Sequence, residues 1–559
     1  METFFPPAVF LFVLPLLYVC HRLGWLSSRR GRWTIAALSA LVVASSLPYQ
    51  GLDLDLIKRL SGLLCLGVVL VLLTRIWRVG CGRPPRAYLA ALYALAALSF
   101  VTYYNFFSFH GLRTYIHLHD LAHYYLGAKY FDELRYTGLY TAMLRAEAEE
   151  YDDHFKTLEA RDLETNELVD IRVLLRRSHA VKAEFSPSRW QELRRDVRFF
   201  RESMGPNFAG IYQDQGFNPP PFWAWVGGTV ANLVPAGSYA GILTLSLLDL
   251  ALLLGIFAAI RWAFGHQATI LGFLFFLLVF GAGFGWTGGA FLRFMWLFGF
   301  IVGLCCLKKR KPALAGALLA AATVLRIFPV FFALGVAARA AGFVFRHRRL
   351  RRFDRRFLLA FAVTGVALAA TTVQLRDGLR SWLEFRENSQ LYVTSISPNV
   401  VGMTALLSYQ NRPAKVTREE FVEIRERRNA IYEVQLWILL GASLVGMAWL
   451  AQRTAGPTQA AVLGVMPILA GLNLSCYYYV LLLALVLVHR RSPRRLALIF
   501  GAESCVYCLL LFESSEGLIF IYRSAMVLIL LLLLYVLPEI ESRFGPRARQ
   551  RRRTAAEVG

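Results

Sequence analysis

Leu60-Ser61-Gly62-Leu63-Leu64-Cys65-Leu66-Gly67-Val68-Val69-Leu70-Val71-Leu72-Leu73-Thr74-Arg75-Ile76-Trp77-Arg78 decides the fold class. No charged residue falls between Leu60 and Thr74, and the run is as long as a helix crossing a bilayer requires, roughly 20 residues. Acidic residues lie before it, at Asp53 and Asp55, and the stretch Arg75 to Arg86 after it is basic. Such asymmetry orients a span, because basic loops stay in the cytoplasm. Working outward, further candidates lie at about 5–24, 33–49 and 87–109. The loop Arg29 to Arg32 is basic, so the N-terminus is expected outside, and the chain reaches the outer face after residue 109.

Composition agrees along the whole chain. Of 559 residues, 57% are hydrophobic and 18% charged, whereas a soluble domain carries about a quarter charged residues. Disorder, collagen and a disulfide scaffold are excluded by the same figures. The net charge of +24 gathers in short runs between apolar segments: Lys308 to Lys311, Arg346 to Arg356 and Arg549 to Arg553. That distribution fits cytoplasmic loops and argues against a nucleic-acid partner. Cys65, Cys305, Cys306, Cys505 and Cys508 sit in apolar segments without zinc spacing and read as small buried hydrophobes.

Residues 110–220 are too polar to cross lipid and form a first outer loop; 375–433 form a second. Between 221 and 307 four apolar pieces must make an odd number of crossings, so one is re-entrant or interfacial. The piece 221–236, opened by three prolines, is the candidate. Residues 312–345 read as two short helices broken at Arg326-Ile327-Phe328-Pro329 near the outer side. Further spans are expected near 357–374, 434–451, 457–471, 474–489, 495–513 and 518–537, with a cytoplasmic C-terminus. The expected architecture is all-α: a polytopic transmembrane helical bundle of about 15 spans with two helical outer-face loops.

The densest chemistry is His117-Leu118-His119-Asp120-Leu121-Ala122-His123-Tyr124-Tyr125-Leu126-Gly127-Ala128-Lys129-Tyr130. On a helix His119 and His123 share a face, with Asp120 beside them. Three readings stand: a metal held by two histidines and a carboxylate, a general base at Asp120, or an interfacial helix with its Tyr and His at headgroup level. The loop closes on Gly210 to Trp223, where Asp214 and Asn218 precede the prolines and either line a surface site or make a plain turn into the next helix. Within apolar segments Asp249, Arg293, Arg326 and Glu503 are costly to bury. Arg326, beside the Pro329 break, is suited to grip phosphate oxygens; for Arg293 an ion pair with Asp249 is as good a reading as a ligand role. In the second outer loop Ser397 or Asn399 caps a short helix or meets a ligand, and Asn473 to Tyr479 opens a late span with either a tyrosine belt or a site residue at Tyr477. Walker loops, dinucleotide fingerprints and nucleophile elbows are absent from the sequence.

Taken in order, these segments resemble the GT-C superfamily of membrane glycosyltransferases, in particular the polyprenyl-phosphate-dependent mannosyltransferases of glycosyltransferase family 87. The resemblance rests on Asp120 followed by Tyr124-Tyr125-Leu126-Gly127-Ala128-Lys129-Tyr130-Phe131, the aromatic and proline run Phe217 to Pro221, and the glycine-rich turn Gly281 to Gly289. The helix from Lys311-Pro312 to Pro329 and Ser397-Pro398-Asn399 add to it. It covers residues 87–490, leaving 1–86 as additional N-terminal helices and 491–559 as C-terminal helices with a basic tail. The chain departs from the family at Gly283 to Gly288, where Gly-Gln-x-Asn is common, and at Cys476-Tyr477, where His-Tyr is common.

The resemblance implies transfer of a sugar, such as mannose or another hexose or pentose, from a polyprenyl-phosphate donor to a lipid, glycan or protein acceptor, with inversion. The site would face the non-cytoplasmic side of an inner or plasma membrane of the bacterial kind. Asp120 would be the base, Lys129 and Arg326 the phosphate ligands, and His119, His123, Tyr124, Asp214, Asn218, Asn399 and Tyr477 the substrate-binding residues. No cofactor is implied, and a divalent metal is not the favoured reading. The competing classes are a lipid or lipid-linked-glycan flippase and a non-catalytic assembly partner.

Overall fold

The computed structural model describes residues 54–78, 86–110, 114–151, 155, 158–234, 237–393, 399–408, 418–510 and 516–536. The first two expected spans, Ser397, Pro398 and the basic tail lie outside these residues.

The molecule is an all-α helical membrane bundle. Among the described residues seven helices are long and apolar enough to cross a bilayer: Asp55–Ile76, Arg86–Tyr103, Tyr239–Phe264, Val330–His347, Arg352–Gln374, Ile431–Ala451 and Gly517–Val536. In chain order α1 is Leu54–Arg78 and α2 Arg86–Tyr103. The first outer loop then folds as α3 (Leu118–Lys129), α4 (Leu139–Tyr151), the antiparallel hairpin β1 (Glu159–Asp162) and β2 (Glu167–Asp170), α5 (Ile171–Ala183) and α6 (Pro187–Met204). Local chemistry sets these starts: Asp170 accepts the Arg172 N–H at 2.8 Å to begin α5, and Ser186 caps α6 with Pro187 in its first turn. α7 (Pro221–Leu233) opens at the third proline and is 13 residues long, shorter than a crossing requires.

Next come α8 (Tyr239–Phe264), α9 (His266–Leu278), α10 (Met295–Lys308), α11 (Pro312–Arg326), α12 (Val330–His347) and α13 (Arg352–Ala370). The break between α11 and α12 falls at Ile327, whose φ of 44° is uncommon for a β-branched residue. Then follow α14 (Ser381–Val393), β3 (Val400–Val401), α15 (Met403–Ser408), α16 (Arg418–Ala451), α17 (Pro457–Val462), α18 (Val465–Gly471), β4 (Leu474–Ser475), α19 (Leu483–His489), α20 (Pro493–Leu509) and α21 (Glu516–Leu531). The 34-residue α16 runs from the second outer loop straight into its span, so that loop has no helix boundary at 433.

The bundle has two chemically different ends. α10 ends at Lys308, α11 begins beside Lys311, and α12 and α13 meet through the basic Arg346–Arg352 turn. At the opposite end α11 finishes at Arg326 and α12 begins at Val330. The two outer loops touch there: Arg376 donates its backbone N–H to Asp132 at 2.9 Å and its guanidinium to Glu184 at 2.6 Å, and Arg135 pairs with Asp377. Asp132 and Glu133 stand close to Arg135 in the sequence. Glu133 instead pairs with Arg189 at 2.8 Å, because α6 packs across that face.

The acidic run that holds Glu147 and Glu150 is not a solvated face: Glu147 is buried, accepting from Tyr212 and paired with Arg201 at 3.0 Å, while Glu150 pairs with Arg194 at 2.6 Å. Cys505 and Cys508 are exposed on α20, unlike buried Cys65, Cys305 and Cys306. Glu503 is neutralised by Arg523 at 2.9 Å and also receives the Phe280 N–H at 3.0 Å, an internal staple.

Candidate functional site

α3 begins at His117, whose Nδ1 accepts the Asp120 N–H at 3.2 Å. Burial holds His117 near 3 and His110 near 4, so both rings stay neutral and the Nδ1 lone pair remains able to cap the helix. The turn at 288–294 packs against this start. Gly289 adopts φ 66°, and a Cβ there would stand 1.8 Å from the Tyr115 carbonyl. Its own carbonyl accepts the His117 N–H at 2.9 Å. Only glycine allows that approach.

This packing delivers Arg293 to Asp120. The guanidinium pairs with the carboxylate, and the Phe291 N–H donates to it at 3.3 Å. Asp120 is buried, which pushes its pKa up, but the Arg293 guanidinium and the Phe291 N–H outweigh burial and hold it below the ordinary carboxylate range. Asp249, the expected partner of Arg293, takes a different part of it. Its carboxylate accepts the backbone N–H groups of Arg293 at 3.0 Å and Phe294 at 3.1 Å, capping the start of α10. The side chain is thereby free to face Asp120.

A second guanidinium joins the cluster. Arg326 lies 5.8 Å from the centre of the Tyr124 ring, and Arg293 lies 5.9 Å from the same ring and 4.7 Å from that of Tyr477. All three distances suit cation–π contact. Among the described residues Arg326 pairs with no carboxylate; its charged neighbour is Arg293. Tyr124 O–H donates to Asn218 Oδ1 at 3.4 Å. The Cys476 N–H donates to the Asn399 carbonyl at 2.8 Å, where β3 pairs with β4, so the second outer loop is fastened beside Tyr477. β3 and Gly402 separate Asn399 from the start of α15.

His119 and His123 lie one turn apart on α3, and Asp214 faces them: a ring nitrogen from each and a carboxylate oxygen lie within 4.8 Å of one another. The metal grouping expected from the sequence therefore loses Asp120, which is occupied by Arg293, and gains Asp214.

Lys129 does not join Asp120. Nine residues along α3 it faces the opposite side, where its ammonium meets Asp196 at 2.7 Å and Glu192 at 2.8 Å, with Tyr125 O at 3.0 Å. Two carboxylates leave it no charge for a phosphate. The cation beside Asp120 is Arg293, not Lys129. No protein family model, curated protein or solved structure matches the chain. The cluster is therefore read from its own chemistry: one ionised carboxylate, two guanidinium groups and an aromatic wall, at the end of the bundle away from the basic loops.

Proposed function

We propose that the chain is a multi-pass membrane glycosyltransferase of the GT-C type, working at the non-cytoplasmic face on a polyprenyl-phosphate sugar. The observation that carries this reading is the convergence of Asp120, Arg293 and Arg326 on Tyr124 and Tyr477. A sugar phosphate needs positive charge at its leaving group and a base at its acceptor. Arg293 and Arg326 supply the first and Asp120 the second, while the tyrosine rings offer faces for a sugar or the first isoprene unit. The basic loops collect at the other end, which the positive-inside rule assigns to the cytoplasm. About 15 spans remains the proposed count for the whole chain.

In the reaction the acceptor hydroxyl attacks the anomeric carbon from the face opposite the phosphate. The bond from that carbon to the phosphate oxygen breaks, its electron pair leaves with the polyprenyl phosphate, and Asp120 receives the hydroxyl proton. Arg293 connects the two ends. While it pairs with Asp120 it holds the carboxylate weakly basic; drawn toward a bound phosphate, it releases Asp120 as a stronger base. Donor binding thus prepares the base.

The broken helix at Arg326 to Pro329 also suits a lipid-linked-glycan flippase without covalent chemistry. Purified protein supplied with polyprenyl-phosphate sugars and candidate acceptors separates the two. Asp120→Asn is expected to lose transfer by about 10²–10⁴-fold while retaining donor binding. Arg326→Lys should weaken donor use, because an ammonium lacks the planar fork. Near-full turnover in Asp120→Asn removes the base assignment.

A further inference from the structure

The grouping of His119, His123 and Asp214 is separate from the Asp120 cluster, although only one peptide bond divides His119 from Asp120. We propose that these three residues bind a divalent transition metal, with zinc the ion their donor set suits. Two imidazoles and one carboxylate with a position left open is a familiar zinc arrangement.

The geometry is prepared at each ligand. Both ring nitrogens of His123 face a carbonyl, Nδ1 that of His119 at 2.8 Å and Nε2 that of Ile211 at 3.2 Å; the shorter contact assigns the proton to Nδ1 and leaves the lone pair on Nε2. A metal-bound histidine is oriented by such a bond from its other nitrogen. In its place Tyr140 O–H donates to Nε2 at 2.8 Å, while the Tyr140 oxygen accepts the Gly216 N–H at 2.9 Å. The Tyr140 hydroxyl is the group a metal displaces.

Asp214 is carried to the helix by the turn at Gly205–Gln213. Arg161 holds that turn through the carbonyls of Gln213 at 2.9 Å and Asp214 at 3.1 Å. The Gln215 N–H occupies Asp214 Oδ1 at 2.8 Å, and Oδ2 faces His119 Nδ1 at 3.9 Å. That separation is too long for a hydrogen bond. Around a tetrahedral zinc, donor atoms sit roughly 3.3–3.6 Å apart, as bonds of about 2.0–2.2 Å dictate. The His119 and Asp214 side chains are 37% and 53% exposed, so both can turn inward to close the remaining gap. The exposed Asp214 side leaves the fourth position to water or to a ligand oxygen.

The ion would fasten the end of the first outer loop to α3, one residue from the proposed base. Its binding does not depend on the transfer reaction, so the two readings fail separately. The full chain, purified in detergent and stripped by chelator, is titrated with Zn²⁺ by calorimetry, with bound metal counted by mass spectrometry. One Zn²⁺ per chain is expected. His119→Ala and Asp214→Asn should each weaken it by more than about tenfold, a loss that even outer partners of a metal can cause; His179→Ala, an exposed histidine on α5, should not. Unmodified protein gives an independent reading: Zn²⁺ should shield His119 from diethyl pyrocarbonate. Full Zn²⁺ binding in both ligand variants, or equal labelling of His119 with and without saturating Zn²⁺, overturns the proposal.

Discussion

Asp120 was legible in the sequence as a carboxylate in an aromatic, histidine-rich helix just after a span. Its partner was not. Arg293 lies more than 170 residues away, and the Gly289 contact with Tyr115, together with the hold of Asp249 on its backbone, sets it beside Asp120. The misplacement of Lys129 has the same cause, since Asp196 and Glu192 reach it from α6, an element with no sequence link to α3. The half-buried His110 and the buried Asp120 also set a dependence on pH. His110 has a folded pKa near 4, below the ordinary value of about 6.5, so the unfolded chain binds its proton first as pH falls. Its contribution to stability is intact above about pH 6.5 and is lost as the pH drops toward 4. Asp120, depressed by Arg293, adds a loss that begins lower, below the ordinary carboxylate value of about 3.9. The share of His110 in the loss of unfolding free energy between pH 6.5 and 4, followed in detergent, should be on the order of 1–3 kcal/mol, and His110→Gln should remove that share while the part due to His117 remains. An unchanged curve in the variant would show that His110 does not titrate there.

Among elements, the break between α11 and α12 was readable because proline stops a helix wherever it stands. The short α7 was readable for a related reason, its three opening prolines. Less visible was the 288–294 turn, which the sequence shows only as a glycine-rich stretch. Which glycine matters depends on what stands opposite, and that is a tertiary fact. Gly289 has a carbonyl 1.8 Å from its would-be Cβ, whereas nothing lies within 4 Å of one at Gly285. Gly289→Ala should therefore force the turn away from α3, lowering stability by about 1–3 kcal/mol or more and separating Arg293 from Asp120. Gly285→Ala should leave thermal unfolding and activity near the wild-type values. Equal behaviour of the two variants would mean that the turn does not position Arg293.

For the whole molecule, composition settled the helical membrane class, and alternating charge suggested which ends belong together. Contacts between the outer loops, such as Arg376 with Glu184, join segments nearly 200 residues apart that the loop reading had placed on one side. The sidedness is testable with single cysteines. Leu158 is 76% and Leu379 57% exposed at the loop end, and Leu350 is 41% exposed in the basic turn; Ala160 is buried and unsuitable. An impermeant thiol reagent should label Leu158→Cys and Leu379→Cys in intact cells, and Leu350→Cys only after permeabilisation. Labelling of Leu350→Cys from outside would reverse the orientation. The central claim, covalent sugar transfer by this cluster, is tested most directly in cells whose own copy is replaced by Asp120→Asn, with lipid-linked sugars and envelope glycans measured by mass spectrometry. The account expects unextended acceptor and unused polyprenyl-phosphate sugar to accumulate, as in a deletion, at normal protein level. Wild-type glycans in those cells would contradict it.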